Sequence, residues 1–248
     1  MLKDKYRMSI EENVFYAKRN IVDSIYKSAK LEGIAVTFPE TYEIYEGRNI
    51  AHLSVDDVVK INNLKYAWQF IFDTIDYPAD LRYIKQMNQK IEQNLIPLSG
   101  KLRTADVSIG GTTWKPDIPY EEKVQEELKD IFKIESATEK AITLMLYIMR
   151  SQLFYDGNKR TAQLVANQLM IQNGCGIIAI PVEKQKDFFE LLIQYYETND
   201  NRACKEFIYN YALDGYNRVQ EKDVQEKFVL PKKEPQKVNN KKKRDYER

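Results

Sequence analysis

Histidine is almost missing from this chain of 248 residues: there is one, His52, and cysteine is limited to Cys175 and Cys204. Two thiols cannot make a disulfide framework, and nothing resembles a zinc-ligand cluster. Glycine is scarce at nine residues, while apolar residues recur at helical spacing. That composition fits a soluble, mostly α protein. Long apolar runs are absent too, and none approaches the ~20 residues of a membrane span. No apolar stretch follows the opening MLKDK, so no signal peptide is read and the expected compartment is the cytoplasm. Bulk charge of one sign is lacking as well. Lysine plus arginine, 38, nearly cancels aspartate plus glutamate, 37, which predicts no nucleic-acid partner. The charge is uneven, however: residues 231–248 carry a net +5, leaving the remainder at −4.

The chain is long enough for one substantial domain with an appendage. Ser9 with Glu12 reads as a capping box opening a helix to about residue 31, which Gly33 stops. Residues 36–49 read as irregular. Ser54 caps a helix over 55–74, with His52 just before it, where a histidine is ordinarily a surface or staple residue. A helix over 81–95 follows Pro78 and ends near Pro97 and Gly100. Residues 101–119 lack helical character. Within them, 107–114 alternates apolar and polar about Gly110-Gly111, the pattern of a small β-hairpin. Helices are expected over 120–132, 139–150, 159–172, 183–196 and 201–213, with a short apolar connector at 177–181. From 215 on, apolar periodicity fades into a basic tail with little to bury.

The most informative stretch is SQLFYDGNKRTA, residues 151–162. A loop carrying Asp156, Gly157 and Asn158 feeds straight into a helix N-terminus, where the first N–H groups lack intrahelical acceptors and the dipole favours negative charge. With Lys159 and Arg160 added, the segment can cradle a phosphate, and Asp156 can hold Mg2+. The same residues would also serve an ordinary helix–helix connection, with Asp-Gly-Asn present for turn chemistry.

The stretch resembles the signature of the Fic (Fido) family, His-x-Phe-x-Asp/Glu-Gly-Asn-Gly-Arg-x-x-Arg. Phe154, Asp156, Gly157, Asn158 and Arg160 match, and the Asn-Lys-Arg-Thr-Ala form is similar to that of Doc-type members. The resemblance covers about 28–213. It implies a mainly α fold: a helical-bundle core with one small β-hairpin flap. The implied divisions are an N-terminal helical region over 1–100, the core over 101–214 and a flexible basic tail over 215–248. It also implies transfer of AMP from ATP to a Tyr, Ser or Thr hydroxyl of a target protein. ATP and Mg2+ are the implied ligands. Asp156 would hold the metal, Gly157, Asn158, Lys159, Arg160 and Gln163 would meet the phosphates, and Phe154 would anchor the loop in the core. Residues 109–112 (Ile109, Gly110, Gly111 and Thr112) would dock the target by strand addition. Ser28, Glu32 and Gly33 are similar to the inhibitory motif of autoregulated members, whose glutamate pairs with the motif's last arginine and displaces the γ-phosphate.

Two departures bear on chemistry. Gln152 stands at the catalytic histidine's position and Gln163 at that of the last arginine. An amide cannot titrate, whereas an imidazole has an unperturbed pKa of ~6.5, near working pH. Losing the base therefore removes a factor of about 10²–10⁴. With Gln163 as its partner, Glu32 is expected to form at best a neutral hydrogen bond, roughly half as strong as a charged one. The readings left open are an impaired transferase, an inactive nucleotide- or partner-binding regulator, and a Doc-like phosphotransferase.

Overall fold

Helix formation in this chain is set by short polar caps followed by apolar stripes. The computed structural model describes residues 1–217, and the basic tail beyond 217 lies outside them. The described residues form ten α-helices: α1 (Ile10–Arg19), α2 (Ile21–Leu31), α3 (Phe38–Tyr45), α4 (Val55–Asp73), α5 (Leu81–Ile91), α6 (Glu121–Phe132), α7 (Ala137–Ser151), α8 (Asn158–Gln172), α9 (Gln185–Thr198) and α10 (Arg202–Tyr211). Ser9 and Glu12 make the reciprocal capping box of α1. Ser54, Asp80 and Ser136 accept backbone N–H groups at the starts of α4, α5 and α7. No helix among the described residues is long and apolar enough to cross a membrane.

Two helical expectations are corrected. The single helix over 9–31 is broken at Asn20, whose side-chain amide donates to the Tyr16 carbonyl at 2.9 Å and competes with the helix ladder. The segment 36–49, expected to be irregular, contains α3. Its capping box pairs Thr37 with Glu40, and Pro39 occupies the first turn. Thr-x-x-Glu with an early proline is a start signal in its own right.

The mainly α architecture with one small antiparallel pair of strands is present, but the pair lies elsewhere than 107–114. Strand β1 (Ile177–Ile178) pairs with β2 (Leu213–Asp214), joining residues read as a connector and a helix end. Two-residue strands are too short for alternation to reveal them. Residues 107–114 keep the turn at Gly110-Gly111 but form no ladder. The segment is tied sideways instead. Thr112 Oγ1 donates to Glu197 at 3.1 Å and accepts the Trp114 N–H, while the Arg150 guanidinium lies 3.8 Å from the Trp114 ring centre.

At the centre is α8, buried at every position from 160 to 171. A helix enclosed on all sides must satisfy its polar side chains internally, and here they bind neighbouring backbone. The Asn167 amide donates to the Ile178 carbonyl at 2.9 Å and accepts the Ile178 N–H at 2.8 Å, fixing β1. Gln168 and Gln172 both donate to the carbonyls of Ile75 and Tyr77 after α4. Asn88 of α5, fully buried, donates to the Asp156 carbonyl and to Thr161 Oγ1, and accepts the Gly100 N–H at 2.8 Å. Three elements thus meet on one amide. Truncation as Asn88→Ala strands those groups and is expected to cost about 2–3 kcal/mol. Urea denaturation would register this as a lower midpoint with an unchanged slope.

Candidate functional site at the start of helix α8

The loop between α7 and α8 is held from within. Gln152 ends α7 in the left-handed region, at φ 45°, and its carbonyl accepts Arg103 Nε at 2.6 Å. Its side-chain amide donates to the Met149 carbonyl at 2.6 Å and accepts Asn158 Nδ2 at 3.1 Å. Asn158 also spans the loop, accepting the Phe154 N–H at 3.0 Å and donating to the Phe154 carbonyl at 2.8 Å. Leu153 and Phe154 are buried beneath this bracket. Arg103, itself fully buried, also donates to the carbonyls of Ala105, Pro116 and Asp117. Residues 101–119 are therefore fastened to the loop through one guanidinium, and the base of that segment lies beside the motif, as the Thr104–Tyr155 hydrogen bonds also require.

The site residues named from sequence fall into two groups. Asn158, implied to meet the phosphates, is buried with its side-chain amide committed to the loop. Gln163 is buried as well, its amide returning to the Lys159 carbonyl at 3.2 Å. Asp156 is open to solvent, with Oδ1 accepting the Gly157 N–H at 2.6 Å. Lys159 is about a third exposed, and its Nζ lies 3.6 Å from Glu32 Oε1. Glu32 caps the C-terminus of α2, between a buried Ser28 and Gly33 at φ 77°. Its other oxygen is 3.5 Å from Arg160 Nε. The cations facing Glu32 thus come from within the motif, and the expected Gln163 partner is replaced by two charged ones. Residues 109–112 lie against α9, where Gly111, at φ 83°, leaves only 3.1 Å between an added Cβ and Ile193. His52 stands apart from the loop, 3.7 Å from Glu40.

Sequence reasoning missed Glu92. It caps the C-terminus of α5, is fully buried and sits 2.8 Å from Arg160 Nη2. The signal was available: Ile84, Asn88 and Glu92 share the four-residue spacing of the inward face of α5. Gly157 answers to the same carboxylate. It has φ 72°, and an added Cβ would sit 2.2 Å from Glu92 Oε1. Burial pushes the Glu92 carboxyl up to about 7, against the pull of Arg160 and with Asp156 and Glu32 adding to the rise.

The site can therefore offer backbone N–H groups, a lysine and an arginine to an anion, with carboxylates held among them. A groove of about 560 Å³ between α5 and α6 contains none of the motif residues. One consequence follows for stability. A carboxyl whose pKa is raised in the folded state contributes fully below its unfolded value, 4.5, and that contribution is lost as pH rises through about 7. Melting temperature should therefore fall between pH 5 and 8, by an amount on the order of 3 kcal/mol of stability. Glu92→Gln should flatten the profile in that window, and an unchanged slope in the variant would assign the dependence to other groups.

Comparisons with known proteins agree with this arrangement. The Fic/DOC family model matches residues 78–170, from before α5 to near the end of α8. Protein adenylyltransferase fic-1 of Caenorhabditis elegans is 27% identical over 182 residues, which is 68% of this chain and 35% of the relative. Its Caenorhabditis briggsae counterpart is 26% identical over 184 residues, with the same coverage. The chain thus spans about a third of the length of the curated relatives it matches. Among solved structures, Fic-1 (residues 134–508) of C. elegans superposes with a TM-score of 0.69 at 19% identity, covering 79% of this chain and 62% of that one. A Fic domain containing signaling protein of Bacteroides thetaiotaomicron gives 0.65 at 20%, covering 81% and 80%. The family model matches the stretch that carries the motif at the head of α8, and the solved structures share the fold, so the chain is similar to proteins of the Fic/DOC family.

Proposed function

We propose that the α8 N-terminus binds the phosphates of a nucleotide, ATP with Mg2+, and that group transfer to a protein hydroxyl is strongly impaired. Its relatives are named protein adenylyltransferases, and AMP transfer is the chemistry this site descends from. The observation that carries the reading is Gln152. Both ends of its amide are engaged inside the protein, by Met149 and Asn158. It has no titratable nitrogen, and an amide oxygen is too weakly basic to take the proton of an attacking hydroxyl. Phosphate binding relies on other groups: the α8 N–H donors, Lys159 and Arg160. Arg160 keeps two buried donors, Nε and Nη1, without a hydrogen-bond acceptor, which suits an anion.

Asp156 fits a magnesium ion delivered with the phosphates, since Mg2+ is commonly held by one or two carboxylates plus substrate oxygens. Its carboxylate is exposed, and only Oδ1 is engaged. No group of three or more His, Cys, Asp or Glu side chains suited to a metal occurs among the described residues. The nucleotide would therefore have to complete the shell. Bound there, the ion would neutralise phosphate charge and polarise the phosphoryl group. Glu32, opposite Lys159 and Arg160, lies where an anion would have to enter, which supports an inhibitory role for the α2 end. Residues 109–112, at the turn of the 101–119 segment whose base is fastened to the loop, are where a target would dock. The binding-regulator reading is favoured by the same internal engagement of Gln152.

Two measurements check this. Millimolar Mg·ATP should raise the melting temperature, by the equivalent of about 2.7 kcal/mol at a hundredfold excess over Kd. Asp156→Ala should diminish that shift, and no shift together with no calorimetric heat would remove the nucleotide reading. Gln152→His should raise label transfer from ATP by about 10²–10⁴-fold. Label from the α-phosphate would indicate AMP transfer, and label from the γ-phosphate a phosphotransferase. Robust activity in the unaltered protein would show that Gln152 does not disable it.

A further inference from the structure

We infer that Glu92 is a second carboxylate lock on Arg160, fixed in the core and independent of Glu32, that holds down the site's affinity for phosphate. The inference rests on the reading that phosphate binds at the head of α8.

Neither oxygen of Glu92 has a hydrogen-bond donor, although Arg160 Nη2 is 2.8 Å away. The contact meets the distance of an ion pair but not the angle of a hydrogen bond. A fully buried carboxylate normally collects donors, so in its ionised form this one acts on Arg160 through charge alone. Arg160 shows the complementary pattern. Its Nε and Nη1 protons have no acceptor, while its charge faces Glu92 at 2.8 Å, Glu32 at 3.5 Å and Asp156 at 3.7 Å. Three carboxylates meet two cations, Arg160 and Lys159. The guanidinium thus retains the hydrogen-bonding geometry for an anion while its positive field is cancelled.

The two locks differ in how they can be released. Glu32 is partly exposed, ends α2 and is followed by Gly33 in the left-handed region, so a shift of that helix end removes it. Glu92 cannot leave in this way. Asn63 of α4 donates to the carbonyls on either side of it, Ile91 at 2.9 Å and Gln93 at 2.7 Å. Its carboxylate also fills the space under Gly157 that a side chain there would need. Displacing α2 therefore frees Arg160 from one carboxylate and leaves the other.

The test is calorimetric titration of the full chain at about pH 8, where the Glu92 carboxyl is mainly ionised, with Mg·ATP, AMP and adenosine, in wild type, Glu32→Gly, Glu32→Gly/Glu92→Gln and Glu32→Gly/Glu92→Leu. Relative to Glu32→Gly, either change at Glu92 should tighten Mg·ATP by about tenfold, as loss of one nearby like charge in a partly buried site predicts. The gain should shrink for AMP and vanish for adenosine, a charge dependence that a packing effect would not produce. Unchanged or weaker Mg·ATP binding in both double variants, with melting temperatures no lower than that of Glu32→Gly, overturns the role of Glu92 alone. An equal gain for adenosine does the same. Absence of binding in Glu32→Gly and in both double variants overturns the nucleotide reading and this inference together.

Discussion

A guanidinium removed from water has to be neutralised where it stands, and Arg160 imposes that requirement on the whole molecule. It is essentially fully buried at the third position of α8. A charge left unpaired there would cost several kcal/mol. The carboxylates that answer it occupy the same structural position on two different helices, Glu32 as the C-cap of α2 and Glu92 as the C-cap of α5. A helix C-terminus carries partial negative charge and a helix N-terminus partial positive. Two negative ends therefore converge on the positive end of α8, and the side-chain charges reinforce the backbone dipoles. This arrangement aligns three helices and leaves little freedom in how they meet.

The polar side chains nearest the loop serve its backbone, and the loop in turn presents backbone outward. Asn158 and Gln152 hold each other and residue 154, Asn88 holds the Asp156 carbonyl, and Arg103 holds the Gln152 carbonyl. Each of these satisfied groups adds rigidity, because a buried donor or acceptor released from its partner is penalised by its full desolvation. What remains for chemistry is correspondingly small: helix N–H groups, Asp156, Lys159 and the unused donors of Arg160. Such a site can bind and orient an anion without reorganising, but it contains no group poised to move a proton at neutral pH next to the expected hydroxyl. In the proposed reading, binding and catalysis rest on different groups, and Gln152 belongs to the second.

The helices around the site were legible because their signals are local. Ser9 with Glu12, Ser54 and Asp80 are start signals that act within one turn, and apolar spacing reports the buried face whatever it packs against. The loop motif was legible for a similar reason, since Asp-Gly-Asn before a helix has a meaning in turn chemistry and in anion binding. The break at Asn20 and the cap at Thr37 were equally local and went unread. The two-residue strands at 177–178 and 213–214 were not legible, because their pairing partners lie far apart in sequence and neither carries a pattern of its own.

By itself, then, the sequence determined the helical class, most helix starts, the position of the Asp-Gly-Asn loop before α8 and the presence of a non-titrating amide at residue 152. Tertiary structure alone decided which charges face one another. Glu32 meets Arg160 and Lys159, Glu92 comes from the end of a helix 68 positions earlier in the chain to meet the same arginine, and Asn158 turns inward. The physical reason is one of range. Helix propensity and capping are settled within a few residues, whereas the pairing of buried charges depends on which chain segments close over them. Burial then requires that each enclosed charge be met, by an opposite charge as at Arg160 or by carbonyls as at Arg103.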